Sequence, residues 1–417
     1  MDPVGKEPKA DARVRVLEAA TRIFLRHGFA QARVDMIAAA ARISKLSIYE
    51  LFPSKAALFE AAVRNACDAD FFSASSIADE ADIRVALRHI GEQVFERFLG
   101  PVQFGLTRAN IVAATEFPVL ASEIHDHQTR TSQGIADHLQ LWIDRGVLAR
   151  QDAMRAAVRF AGLCVEGSRY FLGAAIPGQK ERAAIVADAV ELFLYGYRAL
   201  PTGRRVRSPA RPLEPPSLAR GTALRLPAAK LDRIMVIAGE EFLARGLRGA
   251  NLDRIVTAVP VAKTTLYRQF GDKRGLFRHV VEHRAWSLGG AAYRIDGLPE
   301  LEREIAILAR QALDGHCTVE SVRLHRLLIA EADMLAGQAR AFHEMRVQRL
   351  GEALAVSLAR HHQPAAGEQA IRFFHLLATF ALRYLTNRLP DEAQRMQDSA
   401  EAARLFLHGA LRRPSAR

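Results

Sequence analysis

The chain has 417 residues, 49% hydrophobic and 25% charged, and 58 Lys+Arg against 46 Asp+Glu give it a formal charge of +12. That length exceeds one ordinary core and that apolar content fills more than one, which excludes a disordered or collagen-like chain. Three cysteines, Cys67, Cys164 and Cys317, without a CxxC pair fit a reducing compartment and argue against a disulfide scaffold or a structural zinc.

The first fifteen residues, MDPVGKEPKADARVR, lack the apolar run of a secretory leader. The apolar stretches near 153–176 and 369–386 are interrupted by Arg155, Arg159, Glu166, Arg169, Arg372 and Arg383, so neither suits a bilayer. A cytoplasmic protein with no membrane partner is the expectation.

In chain order, Val16, Ala20, Ile23 and Phe24 share one face of a first helix that Gly28 is placed to end. Val34, Ile37, Ala38 and Ala41 form the buried face of a second. Ser44 is placed to cap a short third helix with Ile48 and Phe52 inside, Pro53 stops it, and Ser54 caps a fourth carrying Leu58, Phe59, Ala62 and Val63. Further helices follow to residue 200, and 151–175 with 181–199 are apolar on several sides (Phe160, Leu163, Tyr170, Phe171), the mark of helices buried by a partner. Residues 201–226 then hold five prolines and six arginines against Glu214, a semi-rigid basic linker.

Beyond the linker the sequence starts again. Displaced by 218 positions, 15–63 aligns without a gap on 233–281, matching Phe24/Phe242, Gly28/Gly246, Asp35/Asp253, Lys45/Lys263, Tyr49/Tyr267, Phe52/Phe270, Lys55/Lys273 and Phe59/Phe277. LFLYG at 192–196 returns as LFLHG at 405–409, and 366–388 with 391–411 repeat the apolar terminal pair. Strand signals are missing, so the expected fold class is all-α. The expected domains are 1–64 (a helical head), 65–200 (a helical body), 201–226 (the linker), 227–282 (a second head) and 283–413 (a second body).

From Ile37 to Phe52 two short helices meet at a tight joint, a helix-turn-helix whose second member can enter a major groove. The following segments, IYELFPSKAALFEAAV and LYRQFGDKRGLFRHVV, repeat an aromatic, a Phe three residues on, a helix-breaking step and a Lys at a helix start. This pattern resembles the N-terminal DNA-binding domain of the TetR family of bacterial transcriptional regulators, strongly over 13–64 and 231–282 and more weakly in the bodies. The resemblance implies two consecutive TetR-like units, each with a head and a ligand-binding, dimer-forming helical body.

It also implies roles for particular residues. Tyr49 and Tyr267 each offer a phenolic OH to a phosphate, and Lys55 and Lys273 stand at the first turn of helix four, where free backbone N–H groups favour the same anion. Arg33 and Asn251 are further phosphate candidates, and Ser44 joins them at the start of helix three. Groove-facing positions fall on Lys45, Leu46, Ser47, Glu50 and Leu51 in one head, and on Lys263, Thr264, Thr265, Arg268 and Gln269 in the other. Arg268 suits guanine O6/N7 and Gln269 adenine N6/N7, whereas Glu50 repels phosphate. The second head departs from the family at Val259–Pro260–Val261–Ala262, where the usual glycine and capping serine are lost.

The expected function is a repressor of transcription released from double-stranded DNA by a small-molecule effector, with two unlike heads reading a non-palindromic operator. An intramolecular pseudo-dimer is favoured over a homodimer of full chains. A helical protein that binds small molecules or partners, with degenerate heads, stands as the alternative. No GxSxG, HExxH, P-loop or GxGxxG constellation points to an enzyme, no cofactor or metal is expected, and no effector-binding residue is identifiable.

Overall fold

A computed structural model describes residues 9–68, 82–167, 169–196, 226–289, 293–294, 297–363, 367–378, 385 and 389–410. Among them every regular element is helical, and no strand occurs. The chain folds as two compact units, Met1–Ala161 with Thr386–Arg388, and Gly162–Leu385 with Leu389–Arg417. The linker 201–226 lies outside the described residues except for residue 226.

The first unit opens with α1 (Lys9–Gln31), α2 (Val34–Ala41), α3 (Lys45–Leu51) and α4 (Lys55–Asp68). Gly28 breaks α1 at φ 70°, a left-handed value that glycine adopts at no steric cost. Inside, Phe24, Ile37, Ile48, Phe52 and Phe59 form one core with Leu106 and Leu120 from the next helices. Phe24, Phe29, Phe59 and Phe117 pack ring against ring, with centroids 4.7–6.2 Å apart. The body continues as α5 (Ile83–Leu99), α6 (Pro101–Ala113), α7 (Pro118–Thr131), α8 (Gln133–Asp144) and the start of α9 (Ala153–Cys164). α6 rests on α1 and α7 on α4, so head and body share their apolar contacts.

The second unit begins inside the first repeat. The expected single helix over 151–175 is broken instead at Glu166 (φ 51°) and Gly167 (φ 65°), and a 3₁₀ turn, Arg169–Leu172, follows. At the break the Glu166 carboxylate is buried, accepting from Tyr170 Oη (2.7 Å) and Arg169 Nη1 (2.8 Å) and meeting Arg372 from the second repeat, while Gly167 takes a positive φ that a helix cannot continue through. After the turn comes α10 (Gln179–Tyr195), then α11 (Ala228–Gly249), α12 (Leu252–Ala258), α13 (Lys263–Phe270) and α14 (Lys273–Gly289) of the second head. The second body contains α15 (Leu301–His316), α16 (Val319–Ala330), α17 (Ala332–Arg360), α18 (Gly367–Ala378) and α19 (Glu392–His408). The compact division therefore falls at Ala161/Gly162 and splits the sequence segment 65–200, because residues 162–196 bury their apolar faces on helices of the second repeat.

That burial has a reciprocal geometry. α10 and α19 end at Gly196 (φ 81°) and Gly409 (φ 71°), the last residues of LFLYG and LFLHG. A Cβ on Gly196 would sit 2.8 Å from the Leu407 backbone, and one on Gly409 would run into the Leu194 carbonyl. Ala410 N–H donates to Phe193 O at 2.7 Å. The two helix ends cross backbone to backbone, which only glycine allows. Alongside, Arg372 of α18 reaches Asp188 of α10 (3.0 Å) and Glu166 (3.4 Å), all three largely shielded from water.

Candidate nucleic-acid interface

In the first head α2 ends on Arg42 in the left-handed region (φ 58°, ψ 42°), and its N–H donates to Ala38 O and Ala39 O. Ser44 then caps α3, accepting from Ser47 N at 3.0 Å and contacting Ser47 Oγ at 2.8 Å. The second head turns differently. Pro260 disfavours helical backbone in the residue before it, so Val259 leaves α12 extended (φ −117°, ψ 118°). Ala262 starts α13 without a side-chain cap, as its chemistry requires. Asn251 caps α12 through Oδ1, accepting from Asp253 N at 2.8 Å, so that oxygen is committed to the fold.

Despite the unlike turns, the third helices present matching faces. Ile48 and Leu266 point inward, while Tyr49 and Tyr267 are each 41% exposed. Leu46 stands out into solvent at 71% exposure, an apolar tip with no packing role. Glu50, Thr264 and Arg268 are exposed beside them, and Ser47, Leu51, Thr265 and Gln269 are half-buried. Arg268 makes no ion pair among the described residues.

Lys45 and Lys263 share an arrangement that sequence reasoning missed. Lys45 Nζ lies 2.9 Å from Asp35 Oδ1, and Lys263 Nζ lies 2.9 Å from Asp253 Oδ1. The hydrogen bond from Lys45 holds the Asp35 carboxyl below its ordinary range, and the two lysines are raised by the same bonds. Arg33 also leans on Asp35, at 3.3 Å. Asp35/Asp253 ten residues ahead of Lys45/Lys263 in both repeats was the available signal. Each lysine is thus held by a carboxylate at the mouth of α3 or α13, in exposed positions where such a pair exchanges readily for another anion.

At helix four the cation is tethered too. Lys55 Nζ sits 4.6 Å over the Phe29 ring, and burial lowers its pKa against the opposing pull of Glu116. Lys273 Nζ donates to Arg248 O at 3.2 Å. Ser54 and Asp272 cap these helices, accepting from Ala57 N (3.0 Å) and Gly275 N (2.7 Å). Each head therefore brings together an exposed tyrosine, two lysines and a helix N-terminus. Partial positive charge from unpaired N–H groups and the ammonium groups favours phosphate there.

His361 Nε2 lies 3.0 Å from Glu304 Oε2, so that imidazole is engaged within the fold. No cluster of three metal-ligating side chains occurs among the described residues, and no described helix is long and apolar enough to cross a membrane.

Comparison with known proteins gives matches in both repeats. The family described as "Bacterial regulatory proteins, tetR family" matches residues 16–62 and again 234–280, and "AefR-like transcriptional repressor, C-terminal domain" matches 85–199. The HTH-type transcriptional repressor SCO4008 of Streptomyces coelicolor is 46% identical over 55 residues, 13% of this chain, and the match spans only 28% of that relative's length. Among solved structures, a TetR transcriptional regulator from Agrobacterium tumefaciens is similar at 20% identity (TM-score 0.37, 43% of this chain and 93% of that one). The flavonoid-responsive regulator FrrA matches at 27% identity (TM-score 0.36, 43% and 94%).

Proposed function

This chain belongs to the TetR family of bacterial regulatory proteins, with the family's DNA-binding module present twice, and from that premise we propose that it is a repressor acting as an intramolecular pseudo-dimer. Its two unlike heads read the two halves of one operator, and a small-molecule effector in a helical body releases them. The observation that carries this reading is the reciprocal crossing of α10 and α19, where Gly196 meets Leu407 and Gly409 meets Leu194. Contacts exchanged in both directions are what a two-fold dimer interface makes, and here both sides come from one polypeptide. The names of the matched relative and of the matched C-terminal family favour repression over activation.

In this reading Arg33, Tyr49, Lys45 and Lys55 hold phosphates for the first head. Tyr267, Lys263, Lys273 and the free amide of Asn251 do so for the second. Lys45 and Lys263 exchange Asp35 and Asp253 for phosphate on binding. Leu46, Ser47, Glu50 and Leu51 face one half-site, with Ser44 beside the backbone at the helix start. Thr264, Thr265, Arg268 and Gln269 face the other. The unlike sets call for unlike half-sites, so the operator is not a palindrome. Effector release requires only that the effector bind the two head arrangements with different affinity.

Selection of bound sequences from random DNA, with mass measurement of the complex, tests this. One chain per site and two dissimilar half-sites are expected. A perfect inverted repeat bound by two chains would overturn the pseudo-dimer. Binding must also weaken steeply with salt as phosphate counterions are released, and Lys55→Ala or Lys273→Ala should each lower that salt slope by about one. Arg268→Ala should instead relax base choice in a single half-site.

A further inference from the structure

Arg346 lies in the second body with only 6% of its surface exposed. Among the described residues no carboxylate pairs with it. Its recorded neighbours are His325, whose Nδ1 accepts from Nη1 at 3.4 Å, the Phe342 ring at 5.1 Å, and the nearby Tyr293 and Cys317. Burial pulls the guanidinium down to about 10, far above neutrality, so it stays a cation. An uncompensated buried charge costs several kcal/mol as a rule, and a well-packed apolar residue would be more stable in its place.

Beyond the His325 hydrogen bond and the Phe342 ring, the described groups around this charge supply no anion to balance it. His316, His325 and His375 are buried and His343 is half-buried, and desolvation drives all four below their ordinary range, His343 to about 3. They are neutral, flat and packed: His343 stands edge to face with Phe374 at 5.3 Å, His316 lies 5.5 Å from the same ring, and His325 is 5.1 Å from Phe342. His316 Nδ1–H donates to Ala312 O at 2.5 Å, which leaves Nε2 as a buried acceptor with no partner among the described residues. One lone cation and one open lone pair thus sit among aromatic rings contributed by α15, α16, α17 and α18.

We propose that Arg346 anchors the effector site of the second body, and that the effector is an aromatic carboxylate. The guanidinium fork matches the two oxygens of a carboxylate, the rings of Phe342, Phe374 and His343 match a flat aromatic body, and His316 Nε2 accepts from a ring hydroxyl where one is present. This site rests on the effector-released regulator reading and gives that effector a chemical class.

Titration calorimetry of the full chain with benzoate, 4-hydroxybenzoate and the neutral isostere benzamide tests it without any variant. Both acids should bind saturably in the millimolar range or tighter, and benzamide should bind at least tenfold more weakly. Equal binding of benzamide, or binding of neither acid, overturns the proposal. Arg346→Met should lose acid binding at least tenfold while its thermal midpoint holds or rises, because an uncompensated charge has been removed. Unchanged acid binding by Arg346→Met also overturns it, and so does a lowered midpoint, which would make the guanidinium part of the fold. Selected operator DNA is assayed in the same samples. Operator binding without acid binding sinks this inference alone, whereas acid binding without operator binding sinks the regulator reading and leaves the site standing.

Discussion

The two repeats solve the same folding problem with different chemistry. Both heads hold a lysine against an aspartate at the start of the third helix and expose a tyrosine to the same extent. Yet one turns through a left-handed Arg42 and a serine cap, the other through an extended Val259 before Pro260 and no cap. The bodies diverge further, since the second buries three neutral histidines and Arg346, with His343 half-buried beside them, where the described interior of the first is mostly aliphatic and aromatic. The lesson is that the lysine–aspartate pair and the exposed tyrosine of the third helices are shared, while the joints and interiors that support them vary.

The widest contrast should come from pH. His316, His325, His343 and His375 stay neutral when folded but take up protons near 6.5 once unfolded. The unfolded state then binds more protons, so stability is lost as pH falls below about 6.5, continuing towards 3 for His343. Each histidine contributes up to about 1.4 kcal/mol per pH unit in that window. Glu166, Tyr293 and Cys317, with Arg169, Arg346 and Arg372, are the other titratable groups around the cluster. The two tryptophans, Trp142 and Trp286, report one repeat each. Urea midpoints of Trp142→Phe and Trp286→Phe should therefore separate on acidification, the Trp286 signal melting first. Parallel curves would erase the contrast.

Core truncation sharpens the same comparison. Phe59→Ala should cost about 3–5 kcal/mol, because it opens a ring cluster shared by the first head and its body. Phe277→Ala, whose one ring partner among the described residues is Phe242, should fall at the lower end of that range. Smaller still are the caps. Ser44→Ala should destabilise the first head by about 1 kcal/mol, and Ala262→Ser should return a similar or smaller amount to the second. Hydrogen exchange in α3 and α13 would measure both, and no effect of Ala262→Ser would mean that Pro260 already fixes that helix start. At the bottom of the scale, Asp35→Asn and Asp253→Asn should leave unfolding midpoints unmoved while strengthening DNA binding, since each frees a lysine and removes a negative charge. Weakened binding would show that the carboxylates position the lysines instead of restraining them.

Local features of this fold were legible in the sequence because local chemistry determines them. The inward faces of α2 and α3, the stop at Gly28, the Ser44 cap and its absence at Ala262 all follow from residues within one turn of each other. The break at Glu166 was not legible, since a glutamate in left-handed backbone is held there partly by Arg372, some two hundred positions away. For the same reason Asp35 was passed over, because its lysine lies on the next helix. The surroundings of Arg346 were hidden most completely. They converge from four helices, and an isolated arginine in an apolar pattern carries no sign of what lies opposite.

Arg372 has one more consequence. Between identical subunits, any new contact is made twice, on both sides of the axis, and must suit both. Arg372 reaches Glu166 and Asp188 from the other half of a single polypeptide, so a change at any of the three is made once and has no mirror image. In the pseudo-dimer reading each half is then free to drift in its own direction, and because both sides of the joint belong to one chain its strength would not depend on how many molecules the cell holds.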